Sequence, residues 1–120
     1  MEDYVGIDDL IGCVLTKIEC EEEEITFISE KKKWRMSHIQ ACCESVTIED
    51  VAGDWDDLIG TPILAAYEST NSDMPPLDNH DDSYTWTFYH ISTIKGTVSL
   101  RWYGTSNGYY SESVDIWVLN

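Results

Sequence analysis

Carboxylates, histidines and cysteines gather in a few places along this chain. HIQACCE (38–44) sets His38 four residues before Cys42 and five before Cys43. Glu49, Asp50, Asp54, Asp56 and Asp57 follow, and His80, Asp81 and Asp82 come later. A metal-dependent hydrolase combines such groups, yet none of them has the H-E-x-x-H or EF-hand spacing that would hold an ion. Structural zinc wants paired cysteines such as C-x2-C, which Cys13, Cys20, Cys42 and Cys43 do not provide. His38, Cys42 and Cys43 are the nearest approach to a ligand set, with buried thiols as the plainer reading. A cysteine nucleophile with His38 as its base has the right residue types, but such a pair is made in space and not along the chain. With no Walker loop, no G-x-G-x-x-G and no G-x-S-x-G, the residues point away from catalysis, and no cofactor is expected.

A second constellation suits binding. RWYGTSNGYYSE (101–112) holds an arginine, four large aromatics, an asparagine and two glycines. A pocket of Trp86, Lys95, Arg101, Trp102, Asn107, Tyr109, Tyr110 and Glu112 would stack a nucleobase and pair its phosphate with Arg101 or Lys95. The same residues also read as a hairpin. Asn107-Gly108 favours the positive φ of a tight turn, the aromatics are cross-strand pairs, and Arg101 faces Glu112 as an exposed ion pair.

The elements that must position these groups are strands. CVLTKIEC (13–20) and EITFISE (24–30) flank the acid run 21–24 as a first hairpin, and KKKWRMSH (31–38) turns through three lysines into another strand. Those lysines have glutamates beside them to pair with. SVTIEDV (45–51) alternates, with Val46, Ile48 and Asp50 on one side. Asp54 caps a short helical turn over 54–60 that ends at Gly60. ILAAYES (63–69) is a short strand or a continuation of that turn, and 70–83, with Pro75-Pro76, is a loop. SYTWTFYHIST (83–93) places Tyr84, Trp86, Phe88 and His90 on one face and Thr85, Thr87, Tyr89 and Ile91 on the other. In 97–103 Val98, Leu100 and Trp102 point inward and Ser99, Arg101 and Tyr103 outward. With 109–119 these make a three-stranded antiparallel meander. The expected fold is mainly β, or α+β with a minor helix: a compact antiparallel sheet in one domain spanning 1–120.

Charge divides that domain. The 120 residues carry a net charge of −16, all of it in residues 1–82, whereas 83–120 hold two acids and two bases. Affinity for polyphosphate comes from lysine and arginine, so direct nucleic-acid or membrane-surface binding is not expected. A basic protein partner suits the acidic part, through Glu21, Glu22, Glu23, Glu24, Asp54, Asp56 and Asp57; the plainer reading is that the acids keep a small β protein soluble. The start MEDYVGIDDL has acids where a secretory signal has bases, so reduced thiols and a cytoplasmic location are expected.

HIQACCESVTIEDVAGDWDDLIGTPIL and SYTWTFYHISTIKGTVSLRWYGTSNGYYSESVD together resemble a family of small uncharacterised proteins encoded by bacteriophages and prophages. That family has an H-x-Q-x-C-C-E stretch, a V-x-I-E-D-V-x-G-D segment and a YTWTFY hairpin, and the match covers most of 38–115. The resemblance brings no biochemical activity. It implies phage origin, the bacterial host's cytoplasm as the place of action, and membership of one motif for His38, Gln40, Cys42, Cys43, Glu44, Glu49, Asp50 and Asp54 and of another for Trp86, Lys95, Gly96, Arg101, Trp102, Asn107, Gly108, Tyr109, Tyr110 and Glu112. The expected function is a non-enzymatic inhibitor of host defence or host machinery, acting through its acidic surface. A sponge for a nucleotide-derived immune signal and a virion or assembly accessory are the alternatives.

Overall fold

Period-two alternation of apolar and polar side chains needs a sheet with one face against a core, and nine strands among the described residues supply it. The computed structural model describes residues 3–38, 44–70, 77, 83–106 and 112–119. Its strands are β1 (Asp3–Tyr4), β2 (Leu15–Cys20), β3 (Glu24–Ser29), β4 (Lys33–Ser37), β5 (Ser45–Ala52), β6 (Ala65–Thr70), β7 (Ser83–Thr93), β8 (Gly96–Ser106) and β9 (Asp115–Leu119). Two single 3-10 turns, Ile7–Leu10 and Trp55–Leu58, are the helical elements among the described residues. The strands form two antiparallel sheets, β1-β9-β4-β3-β2 and β5-β8-β7-β6. No helix among the described residues is long and apolar enough to cross a membrane.

One hydrophobic cluster draws on both sheets. Ile25, Phe27, Trp34 and Met36 come from the first, and Val46, Ile91, Leu100 and Trp102 from the second. Trp34 is fully buried and donates its indole N–H to Asp9 at 2.8 Å, so the first 3-10 turn satisfies a polar atom that the core could not. In β8 the inward set Val98, Leu100 and Trp102 is buried as the alternation requires.

Three consecutive antiparallel strands are present as β6, β7 and β8, the last two joined by a tight turn at Ile94 and Lys95. The strand at the C-terminal end differs from expectation. β9 does not pair with β8; it crosses to the other sheet and lies between β4 and β1. Gly104 makes room for this departure, since a Cβ there would stand 2.5 Å from the backbone oxygen of Glu112. The turn motif at Asn107 and Gly108, and the loop residues 71–76 and 78–82, lie outside the described residues.

β5 also departs from simple alternation. A bulge between Ile48 and Asp50 sets Asp50 opposite Arg101, on the outer face, while Val51 packs against the core. Asp54 caps the second 3-10 turn, its carboxylate accepting the Asp56 N–H at 3.0 Å, and Gly60 follows at φ +86°. The lysines at the β3-β4 turn do not pair with glutamates. Lys32 lies over the Trp34 ring at 6.0 Å, and among the described residues the ion pairs of this sheet are Lys17–Glu19 and Arg35–Glu24.

Candidate functional site

Strand pleating separates neighbouring residues of β8 onto opposite faces, and this decides what becomes of the aromatic constellation. On the outer face of β5-β8-β7-β6, Arg101 lies 5.2 Å from the Trp86 ring centroid and 4.0 Å from the Asp50 carboxylate. Trp86 meets Tyr103 at 4.5 Å, Tyr84 stacks on Tyr103 at 6.1 Å, and Leu77 donates its backbone N–H to the Tyr103 hydroxyl. Trp86 and Tyr103 are buried while the Arg101 side chain remains 37% exposed.

The other members of that set lie elsewhere. Trp102 is on the core face with 1% exposure. Lys95 sits in the β7-β8 turn, where its ammonium donates to the Ile59 carbonyl at 2.8 Å, about 20 Å of strand from Arg101. Glu112 does not face Arg101. It lies on the inner face, where its two carboxylate oxygens accept the Thr85 hydroxyl at 2.8 Å and the Ser106 hydroxyl at 2.6 Å. Asn107, Tyr109 and Tyr110 are outside the described residues. Of the described residues in the expected nucleotide pocket, the structure brings together Trp86 and Arg101.

Around Glu112 there is a cavity of about 340 Å³ bounded by β6, β7 and the segment 112–114, with Glu68, Thr85, Thr87, Tyr89 and Val114 among its walls. Sequence reasoning did not single it out. Its signal is nonetheless periodic: Ser83, Thr85 and Thr87 put a hydroxyl at every second residue of β7, opposite Ser106, Gly104 and Trp102. Tyr89 is almost wholly buried. That burial, then the Glu68 carboxylate to which its hydroxyl bonds, then Asp115, push the phenol well above its ordinary range.

The two ends of the H-x-Q-x-C-C-E motif meet. The His38 and Glu44 side chains are 5% and 0% exposed, and His38 Nε2 lies 3.1 Å from the Glu44 carboxylate. His38 Nδ1 must donate to the Ser113 carbonyl at 2.8 Å, because a carbonyl only accepts. The Nε2 contact then requires one proton shared by imidazole and carboxylate. Both nitrogens are engaged, so His38 offers no lone pair to a metal or a thiol in this arrangement. Cys42 and Cys43 lie outside the described residues. Among the described residues no three histidine, cysteine or acidic side chains form a metal-holding group. Cys13 and Cys20 are free, and partial burial followed by Glu21 raises the Cys20 thiol, which makes it a poor nucleophile.

The acidic candidates form two turns. Glu21, Glu22 and Glu23 are exposed, and Glu24 is half-buried with its carboxylate 3.1 Å from Arg35. Glu21, Glu23 and Glu24 border a hollow of about 300 Å³ whose walls include His38 and Val46. Asp54 and Asp56 are exposed and Asp57 half-buried. Asp57 accepts the Thr93 hydroxyl at its carbonyl, tying this turn to the end of β7. The two acidic turns stand at opposite ends of β2, since Glu21 follows its last residue and Leu15 bridges to Ile59; about 20 Å separates them.

A family model described as a domain of unknown function, DUF7448, matches residues 8–116. No curated protein and no solved structure matches the chain.

Proposed function

The chain belongs to the DUF7448 family, a domain whose function is unknown, and from that premise we propose that it is a non-enzymatic binding protein that docks on a basic protein partner through its acidic surface. The observation that carries this reading is the state of the acids. Glu21, Glu22, Glu23, Asp54 and Asp56 are exposed in a chain of net charge −16, and of the seven predicted acids Glu24 alone has an ion-pair partner among the described residues. A field of one sign steers a cationic partner and weakens with salt. The engagement of both His38 nitrogens and the raised Cys20 thiol favour binding over catalysis.

The motif resemblance extends the proposal to a bacteriophage-encoded inhibitor of host antiviral defence or host machinery, acting in the bacterial cytoplasm. The test is capture of host proteins from bacterial lysate on the immobilised chain, at low and high salt. A basic protein retained at low salt, released by high salt, and lost after Glu21→Lys, Glu22→Lys and Glu23→Lys together is the expected result. Capture that ignores both salt and charge reversal would overturn the reading. Self-association indifferent to these changes would instead favour a virion or assembly accessory.

One observation supports a second reading, the nucleotide sponge: the half-exposed Arg101 guanidinium stacked against Trp86. A nucleotide that raises the melting temperature of the wild type and not of Arg101→Ala would favour it.

A further inference from the structure

We infer that the cavity bounded by β6, β7 and the segment 112–114 is a cation-accepting pocket for a guanidinium or primary ammonium group. That a basic side chain of a protein is its occupant rests on the function proposed above; the chemistry of the pocket does not. The inner face of a sandwich is ordinarily apolar, and β8 obeys this at Val98, Leu100 and Trp102. Further along the same face it changes to hydroxyls, with two carboxylates, Glu68 and Glu112, at the cavity wall and no lysine or arginine among the lining residues.

Two features suit this cavity to a cation. Glu112 is held from two sides by the Thr85 and Ser106 hydroxyls, one on each carboxylate oxygen, which leaves a second lone pair on each oxygen and little side-chain freedom to lose on binding. Thr87, a residue 5% exposed, lines the same cavity, and its hydroxyl makes no hydrogen bond to another described residue. That hydroxyl opens to the cavity, so a donor inside the cavity can take the place of water on it. Among the described residues neither carboxylate has an ion-pair partner, and a guanidinium supplies both the charge and several donors. The volume, about 340 Å³, lies at the lower end for ligand sites and fits one side chain better than a large cofactor.

The test is a two-dimensional amide NMR titration of the full chain with agmatine, with butylamine and glutarate in parallel. Saturable shifts confined to Thr85, Thr87, Ser106 and Val114 are expected with agmatine, weaker ones with butylamine and none with glutarate. Glu112→Gln should raise the agmatine Kd at least about tenfold. Thr87→Val, which keeps the shape, should raise it about threefold, and it keeps the test decisive if Glu112→Gln does not fold. Glu22→Lys, on a distant turn, should change it little. Shifts spread over all the acids without saturation, or a Kd indifferent to both cavity variants, would overturn the inference. An arginine-rich peptide binding far more tightly than agmatine, with the same dependence on Glu112, identifies a protein side chain as the occupant; equal affinity identifies a free small cation. Agmatine binding without capture of any basic protein would sink the partner reading and leave the pocket standing. Salt-sensitive capture without agmatine binding would do the reverse.

Discussion

His38 and Glu44 fasten three segments at one point: the end of β4, the start of β5 and the approach to β9 through the Ser113 carbonyl. Removing one partner of a buried pair leaves the other without its opposite charge, whereas removing both does not. His38→Ala and Glu44→Ala should therefore each lower stability by about 3 kcal/mol, and the double variant by clearly less than their sum. Urea unfolding of the four proteins checks this, and strict additivity would mean that the two residues do not act as a pair. Tyr89 supplies a pH effect. Its phenol is raised in the folded state, so folding holds a proton that the unfolded chain releases from about pH 10. The contribution is fully present below pH 10 and is lost as pH rises beyond it. Tyr89→Phe should be less stable than the wild type at neutral pH by about 1 kcal/mol, with the gap narrowing on the alkaline side. Equal alkaline slopes in urea titrations of the two proteins would contradict the assignment.

Among the elements, the turn over 54–60 was legible in Asp54, which has a side-chain oxygen to accept an amide proton, and in Gly60, which tolerates positive φ. Asp54→Ala should cost about 1 kcal/mol while Asp54→Asn costs much less, by thermal or urea melting. Equal losses for the two would show that charge and not capping is the role of Asp54. The bulge in β5 was not legible. Val46, Ile48 and Asp50 are two apart, so alternation put them on one side, and only pairing with β8 reveals the extra residue that turns Asp50 outward to Arg101. The lysines 31–33 show the same limit, because proximity in sequence did not bring their ammonium groups to the glutamates nearby.

At the scale of the whole molecule, a net charge of −16 repels itself as well as attracting a cationic partner. Added monovalent salt should raise the melting temperature of the free chain while weakening its capture of a basic partner, both through a shorter screening length. A melting temperature that falls steadily from low to moderate salt would show that attractive pairs dominate the charge balance. The sequence by itself determined the strand character of most segments, the inward set Val98, Leu100 and Trp102, the Asp54 cap and the acidic bias, because alternation, capping and charge are local properties of the chain. Only the tertiary structure decided that β9 leaves β8 for β4, that Glu112 and Arg101 lie on opposite faces of one sheet, and that His38 reaches Glu44 and Ser113. Strand pairing and sheet exchange are settled by which distant surfaces bury the most together, and the close approach of Glu112 to Gly104 is a property of two segments and of neither alone.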